Sequence, residues 1–468
     1  MGFCVARVLL VLGLAVGCAA RPVAGPPDGA PAGGEAGAED LGIGGGDAAP
    51  SSDALSVASD ARPADTEPAD AVGPDARALA SEAGVDGGGQ RDAGVFVPGL
   101  LGSTRPAVAA LQPLPGRGVG DPVLTSNNPE LLTGAGLLYG NARPLSTRGG
   151  RAYPLSGSFG VYLHHLVDTD TAGAGGGPPL WITLLVTNPG ATDVTVDVRG
   201  SGYTQGETGG LALGSSPDYR VSAEWIRGEY DVVTEGARIA PGRPLVAWQR
   251  RVEDRQEVDG RFGLRTNGPV YVYVVATRSA DVNDCVRTAG AGGNDAPGDY
   301  RISGDPPPPF GREAGVYAHD TWLGEFEVSV PAGPAHAGWV VNTATGQSFS
   351  QVQAFPALTH LDGSAREAVG MYGNVYDLAL RLRHGGPDQA PRAVRVVFWS
   401  LSTGALSRYY DGLALVDGRP LPIQHVPAAP STVLVELSLG PGETRDVRLQ
   451  AMVPGLTSIS QALTVESR

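Results

Sequence analysis

The sequence predicts an all-β protein: two antiparallel β-sandwich domains, Ig-like or jelly-roll-like, following a disordered N-terminal tether. Three observations carry that expectation. From Phe96 onward, apolar and polar residues alternate with period two, which places one apolar and one polar face on a half-buried strand. Clusters of Gly, Pro, Asn and Asp separate the alternating runs, as in Thr187-Asn188-Pro189-Gly190, the punctuation of short antiparallel strands. Between Ala19 and Val95 there is no aromatic residue at all, so that stretch has little with which to build a core.

The N-terminus reads as an export signal. Arg7 precedes the apolar run Val8 to Val16, too short to span a bilayer and suited to the apolar region of a signal peptide. Ala15-Val16-Gly17-Cys18 resembles the lipobox of bacterial lipoproteins, with Ala15 where that pattern favours Leu. The resemblance implies residues 1–18 are a signal segment and Cys18 a lipid anchor. An ordinary cleavage near Cys18-Ala19-Ala20 would give a secreted protein instead.

Residues 19–95 carry 14 Asp and Glu against 4 Arg, a net charge of -10 of the chain's -15. Repeated Ala, Asp, Gly and Pro cannot bury enough apolar surface to offset backbone ordering. Pro63, Pro68 and Pro74 interrupt any helix the Ala-rich runs would nucleate. As a flexible coil this spacer would reach about 50 Å.

The remaining residues hold the folded body, expected as one sandwich over 96–278, a Gly/Pro/Asp-rich linker or loop over 279–310 with Pro306 to Pro309 in a row, and a second sandwich over 311–468. Alternation is strongest at Phe159 to Val167, Leu180 to Thr187, Val194 to Arg199, Val270 to Thr277, Tyr376 to Arg383, Val394 to Ser400, Thr432 to Leu439 and Val447 to Val453. No segment of the body shows a sustained stripe of helical period. A weak internal repeat supports two sandwiches: Val194 to Pro241 and Val394 to Pro441 span the same 47 positions, each ending at a Pro-Gly pair.

Ordered landmarks add a resemblance. Leu114-Pro115-Gly116, Ser126-Asn127-Asn128-Pro129-Glu130, His164-His165, Asn188-Pro189-Gly190, Arg227-Gly228, Asn267-Gly268-Pro269-Val270-Tyr271-Val272, Trp322 and Tyr372-Gly373-Asn374-Val375-Tyr376 resemble those of an uncharacterised secreted bacterial family, domain of unknown function 3370, from about Leu111 onward. The resemblance implies export and a β-rich body and supplies no catalytic residues.

Composition excludes two classes. The chain has no Lys, and its 34 cationic residues face 49 acids, so a basic nucleic-acid-binding face is not expected. Three Cys, two within the first 18 residues, cannot make a disulfide framework. Cys285 is expected as an unreactive free thiol.

Chemistry-bearing patterns are sparse. His164-His165 invites a metal reading, with His165, Asp168 and Asp170 as candidate ligands. Adjacent strand residues point to opposite faces, so both imidazoles cannot reach one ion. The expectation is therefore one buried and one exposed His, and no cofactor. Asp168-Thr169-Asp170-Thr171-Ala172-Gly173 lacks the fifth-position oxygen of a calcium loop and reads as a polar hairpin tip. Tyr203, Tyr219, Trp225 and Tyr230 are candidate glycan-binding rings. The alternation of Val221, Ala223 and Trp225 points inward. No Gly-x-Ser-x-Gly elbow or other catalytic motif appears.

The function expected is that of a non-catalytic binding, adhesion or scaffold module, exported and anchored to the cell envelope at the outer membrane through lipid on Cys18. Envelope or extracellular glycan is the candidate partner. A surface-tethered polysaccharide hydrolase would use the same anchor, spacer and β-rich body.

Overall fold

Alternating residues become strands wherever two sheets can close over their apolar positions. A computed structural model describes residues 94–142, 152–170, 176–210, 212–290, 295–300, 312–342, 353–403, 408–457 and 460–468. The signal segment, Cys18, nearly all of the acidic spacer, Thr171 to Gly173 and Pro306 to Pro309 lie outside the described residues. The fold is β-dominated, with antiparallel pairing throughout except for parallel pairs such as Thr321–Val330 with Val375–His384. No described helix is long and apolar enough to cross a membrane.

Two apolar cores organise residues 88–468, which form one compact unit. The C-terminal core lies between a five-stranded and a six-stranded sheet. Val394, Val396 and Phe398 from Arg392–Ser400 meet Tyr376, Leu378, Leu380 and Leu382 from Val375–His384, around Trp339 and Phe326. The N-terminal core lies within a larger connected sheet. Glu257–Thr277 pairs through its first part with Leu155–Val167 and Val194–Thr204, and through its second part with Leu180–Thr187 and Gly136–Gly140. Its pairing register shifts between Thr266 and Val270, so Asn267-Gly268-Pro269 turns one strand from the first layer into the second.

The repeat seen in the sequence corresponds to one four-strand pattern used twice. In the first copy Leu180–Thr187 pairs with Pro244–Val252, while Val194–Thr204 pairs with Val232–Ile239. In the second, Val375–His384 pairs with Thr444–Met452, while Arg392–Ser400 pairs with Ser431–Leu439. The copies also exchange segments: Arg117–Val119 joins the C-terminal six-stranded sheet, and Ala314–Tyr317 and Phe355–His360 join the N-terminal one.

One expectation is corrected. Val221, Ala223 and Trp225 lie on a helix, Pro217–Arg227, and not on a strand. Ser216 caps it by accepting from the Tyr219 N–H at 3.1 Å, Pro217 opens it, and Gly228 closes it in the left-handed conformation. Its inward stripe begins with Asp218 and Ser222 beside Val221, so an apolar count does not reveal the helical period. A second short helix, Val282–Ala289, seals Cys285 against Thr183 and Thr277.

The Pro-Gly turns give a direct test of the repeat. Gly242 and Gly442 occupy matching positions with φ of 67° and 72°, and nothing lies within 4 Å of a Cβ added at either. Gly242→Ala and Gly442→Ala should each cost about 1 to 2 kcal/mol through backbone strain alone. Urea unfolding midpoints of the two variants would check this, and unequal costs would show that the turns are not equivalent.

Candidate functional site

Register puts a row of polar side chains on one face of the N-terminal sheet. His164 pairs directly with Asp259, Tyr162 with Arg261, and Tyr203 with Asp259 on the other side. Directly opposed residues of antiparallel strands share a face, and Glu257 joins them two positions before Asp259. In an isolated sandwich this face would meet water. Here it is covered by the helix Pro217–Arg227 and by residues of the C-terminal copy, including Met452 and Gly455.

The result is a sealed cluster of ionisable groups. His164, Asp218, Glu257 and Asp259 are each 2% exposed or less. His164 Nδ1 lies 3.4 Å from Asp259 Oδ1 and 3.7 Å from Asp218 Oδ1. Arg408 Nη2 reaches Asp218 Oδ2 at 3.0 Å, and its Nη1 lies 3.5 Å from Asp411 Oδ2. Asp411 in turn accepts from the Ser216 hydroxyl at 2.8 Å and the Gly214 N–H at 2.9 Å. The connection between the strand pair Val194–Thr204 and Val232–Ile239 thus bonds to the topologically matching connection between Arg392–Ser400 and Ser431–Leu439.

Burial first, and then crowding of like charge, sets the titration. Burial and then the neighbouring Asp218 push the Glu257 carboxyl well above its ordinary range. Burial likewise raises Asp259, against the opposing pull of His164. Burial draws the His164 imidazole down, but Asp259 and Asp218 together outweigh it and hold its pKa above the usual value. His164, Asp218 and Glu257 offer ligand atoms all within 4.8 Å of one another, which fits one metal ion.

His165, the ligand candidate of the sequence, faces the opposite side. Its Nε2 meets the Ser126 hydroxyl at 3.1 Å and its Nδ1 the Pro129 carbonyl at 2.8 Å. Burial pushes it down to about 3. The expectation of one exposed His is therefore corrected: the pair diverges, but both faces of this strand are covered. Asp170 pairs with Arg255 at 3.3 Å, Asp168 is half-buried, and neither joins His165.

Of the four candidate aromatic residues, Tyr203 and Trp225 have a guanidinium over a ring face. Tyr203 is buried, donates its hydroxyl to Glu224 at 3.0 Å, and carries the Arg220 guanidinium 3.9 Å above its ring. Arg261 covers Trp225 at 4.3 Å. Trp225 and Tyr230 are tilted by 58°, so they do not form one plane for a sugar, and Tyr219 is half-buried on the helix. A second Ser–His contact, Ser400 with His425 at 2.9 Å, is buried and ends on the Thr432 hydroxyl rather than on a carboxylate.

Fold and site together define an all-β protein of two interlocked sandwiches joined across a sealed polar face. Residues 109–209 match the family model described as Protein of unknown function (DUF3370). The match spans the first four quoted landmarks and includes His164 and Tyr203. No curated protein matches the chain. A solved structure found as similar is the N-terminal CBM22-1-CBM22-2 tandem domain from Paenibacillus barcinonensis Xyn10C, at 10% identity and a TM-score of 0.13, covering 72% of this chain and 90% of that one. A score that low carries no argument.

Glu313, outside the cluster, gives a clean pH test. It is buried with Oε2 unpartnered, and burial raises its pKa to about 8 despite the Gly370 N–H. The unfolded carboxyl loses its proton near 4.5, so between there and about 8 the folded state holds the extra proton. Stability supplied by this group is full below that window and lost as pH rises through it. Glu313→Gln should flatten the decline of urea midpoints between about pH 5 and about pH 8. An unchanged slope would show that Glu313 is not the group responsible.

Proposed function

We propose that this protein is an exported, non-catalytic binding or scaffold module of the cell envelope, held by lipid on Cys18 and presented on an acidic spacer. The observation that supports it is where the ionisable residues lie. The clustered His and carboxylates are shut inside the joint, out of reach of a polymeric substrate, while an exposed charged sheet face is accessible among the described residues. On that face Arg381 pairs with Asp446 at 2.9 Å, Arg383 with Glu327 at 2.7 Å and Arg448 with Asp377 at 2.6 Å. Shallow grooves cross it beside Arg117, Glu325 and Asp417. Alternating charge on a rigid sheet suits a polar, multivalent partner such as an envelope glycan better than an apolar ligand.

The hydrolase alternative would need the joint to open, because the clustered carboxylates Asp218, Glu257 and Asp259 are fully enclosed.

Two readings of the same preparation decide. Mass spectrometry of the mature N-terminal peptide should show Cys18 carrying diacylglyceryl, and a mature start at Ala20 or later without lipid would remove the anchor. Incubated with envelope polysaccharide, the protein should be retained without releasing sugar, and Arg381→Ala with Arg448→Ala should weaken retention at unchanged melting temperature. Sugar release abolished by Asp259→Asn would replace this reading with the hydrolase.

A further inference from the structure

We propose that the sealed joint is a divalent-cation site, with His164, Asp218, Glu257 and Asp259 as ligands and zinc as the ion they fit. The inference is independent of what the protein binds at its surface. It starts from unpartnered atoms. Both ring nitrogens of His164, Asp218 Oδ1, Glu257 Oε1 and both Asp259 oxygens are buried without a hydrogen bond of good geometry, and His164 faces Asp259 and Asp218 only at 3.4 and 3.7 Å. Enclosed polar atoms are ordinarily paired, and an enclosed charge costs far more than a neutral group when left alone. Here His164, Asp218 and Glu257 converge, with Asp259 against His164.

The spacing matches an ion. Zinc held by nitrogen and oxygen at about 2.0 to 2.1 Å in a tetrahedron separates neighbouring ligand atoms by about 3.3 Å. His164 Nδ1 stands 3.4 Å from Asp259 Oδ1 and 3.7 Å from Asp218 Oδ1. The Glu257 oxygen completes the set within 4.8 Å of the His164 and Asp218 atoms, so a small side-chain closure would bring it to coordination distance. Those separations are longer than a good hydrogen bond and match the spacing of two ligands of one metal.

The surroundings fit as well. Arg408 holds Asp218 through Oδ2 at 3.0 Å and leaves Oδ1 turned into the cluster, the kind of outer contact that orients a metal-binding carboxylate. Gly455 approaches so closely that a Cβ there would collide with both Asp218 and His164. Counting Asp411, four carboxylates stand against the one Arg408 guanidinium, and with His164 neutral, as a ligand must be, a dication would offset two of the three surplus charges.

The donor set selects the metal. One imidazole with carboxylates, no thiolate and no ring of carbonyl oxygens disfavours calcium, which takes oxygen ligands only, and within the first-row series zinc binds such a set more tightly than manganese. Bound there, the ion would tie Leu155–Val167, Glu257–Thr277 and the helix Pro217–Arg227 together.

The test uses the full chain, purified without an affinity tag or chelator. Elemental mass spectrometry should find about one zinc per chain. After chelation, thermal unfolding should shift upward by several degrees on adding zinc chloride, less with manganese chloride and not with calcium chloride. Asp259→Asn and His164→Gln should melt near the chelated protein and lose the zinc response. If either variant fails to fold, the metal titration of the unaltered chain still decides. Trace metal together with a melting temperature indifferent to all three salts would overturn the proposal and leave the joint to water and shared protons. A calcium response, or zinc retained in both variants, would overturn the ligand assignment.

Discussion

Asp218, Arg408 and Asp411 form a buried charge chain across the two sandwich copies, and the covering of the N-terminal sheet depends on it. Without Arg408, two carboxylates would face each other in a space closed to water. Removing one partner of a buried pair costs about 3 to 5 kcal/mol, against a total stability of about 5 to 15 kcal/mol for a typical domain. That one guanidinium therefore rivals a large share of the folding free energy. Its position also ties the copies together, since Arg408 bridges Asp218 in one connection and Asp411 in the other.

The strands were legible because alternation is local. Tyr376 to Arg383 forms a strand whose even positions enter the core, and the matching Pro-Gly turns at 241 and 441 lie in the same topological place. The family resemblance was legible for the same reason, since each landmark is a short local run of sequence. Alternation reports that a face is polar, however, and says nothing of whether that face is wet. Glu257, Asp259 and Arg261 alternate with Val258, Gly260 and Phe262 just as a solvent-facing row would, yet all three are buried.

The joint escaped sequence reasoning because its members are far apart along the chain. His164 lies next to the residue the sequence selected, but the groups it meets, Asp218 and Asp259, come from elsewhere in the chain. One local signal was available and went unused. Ser216-Pro217 at one end and Arg227-Gly228 at the other bracket eleven residues in the manner of a capped helix, and reading them so would have moved Trp225 off a strand and Asp218 onto an inner stripe.

The central claim is that the polar joint makes the two copies one cooperative unit, and calorimetry of the intact chain tests it most directly. A single transition, with calorimetric and van't Hoff enthalpies in agreement, is the result predicted; Arg408→Ala should lower it as a whole or split it. Two separable transitions in the unaltered protein, with Arg408→Ala shifting only one or neither, would contradict the account.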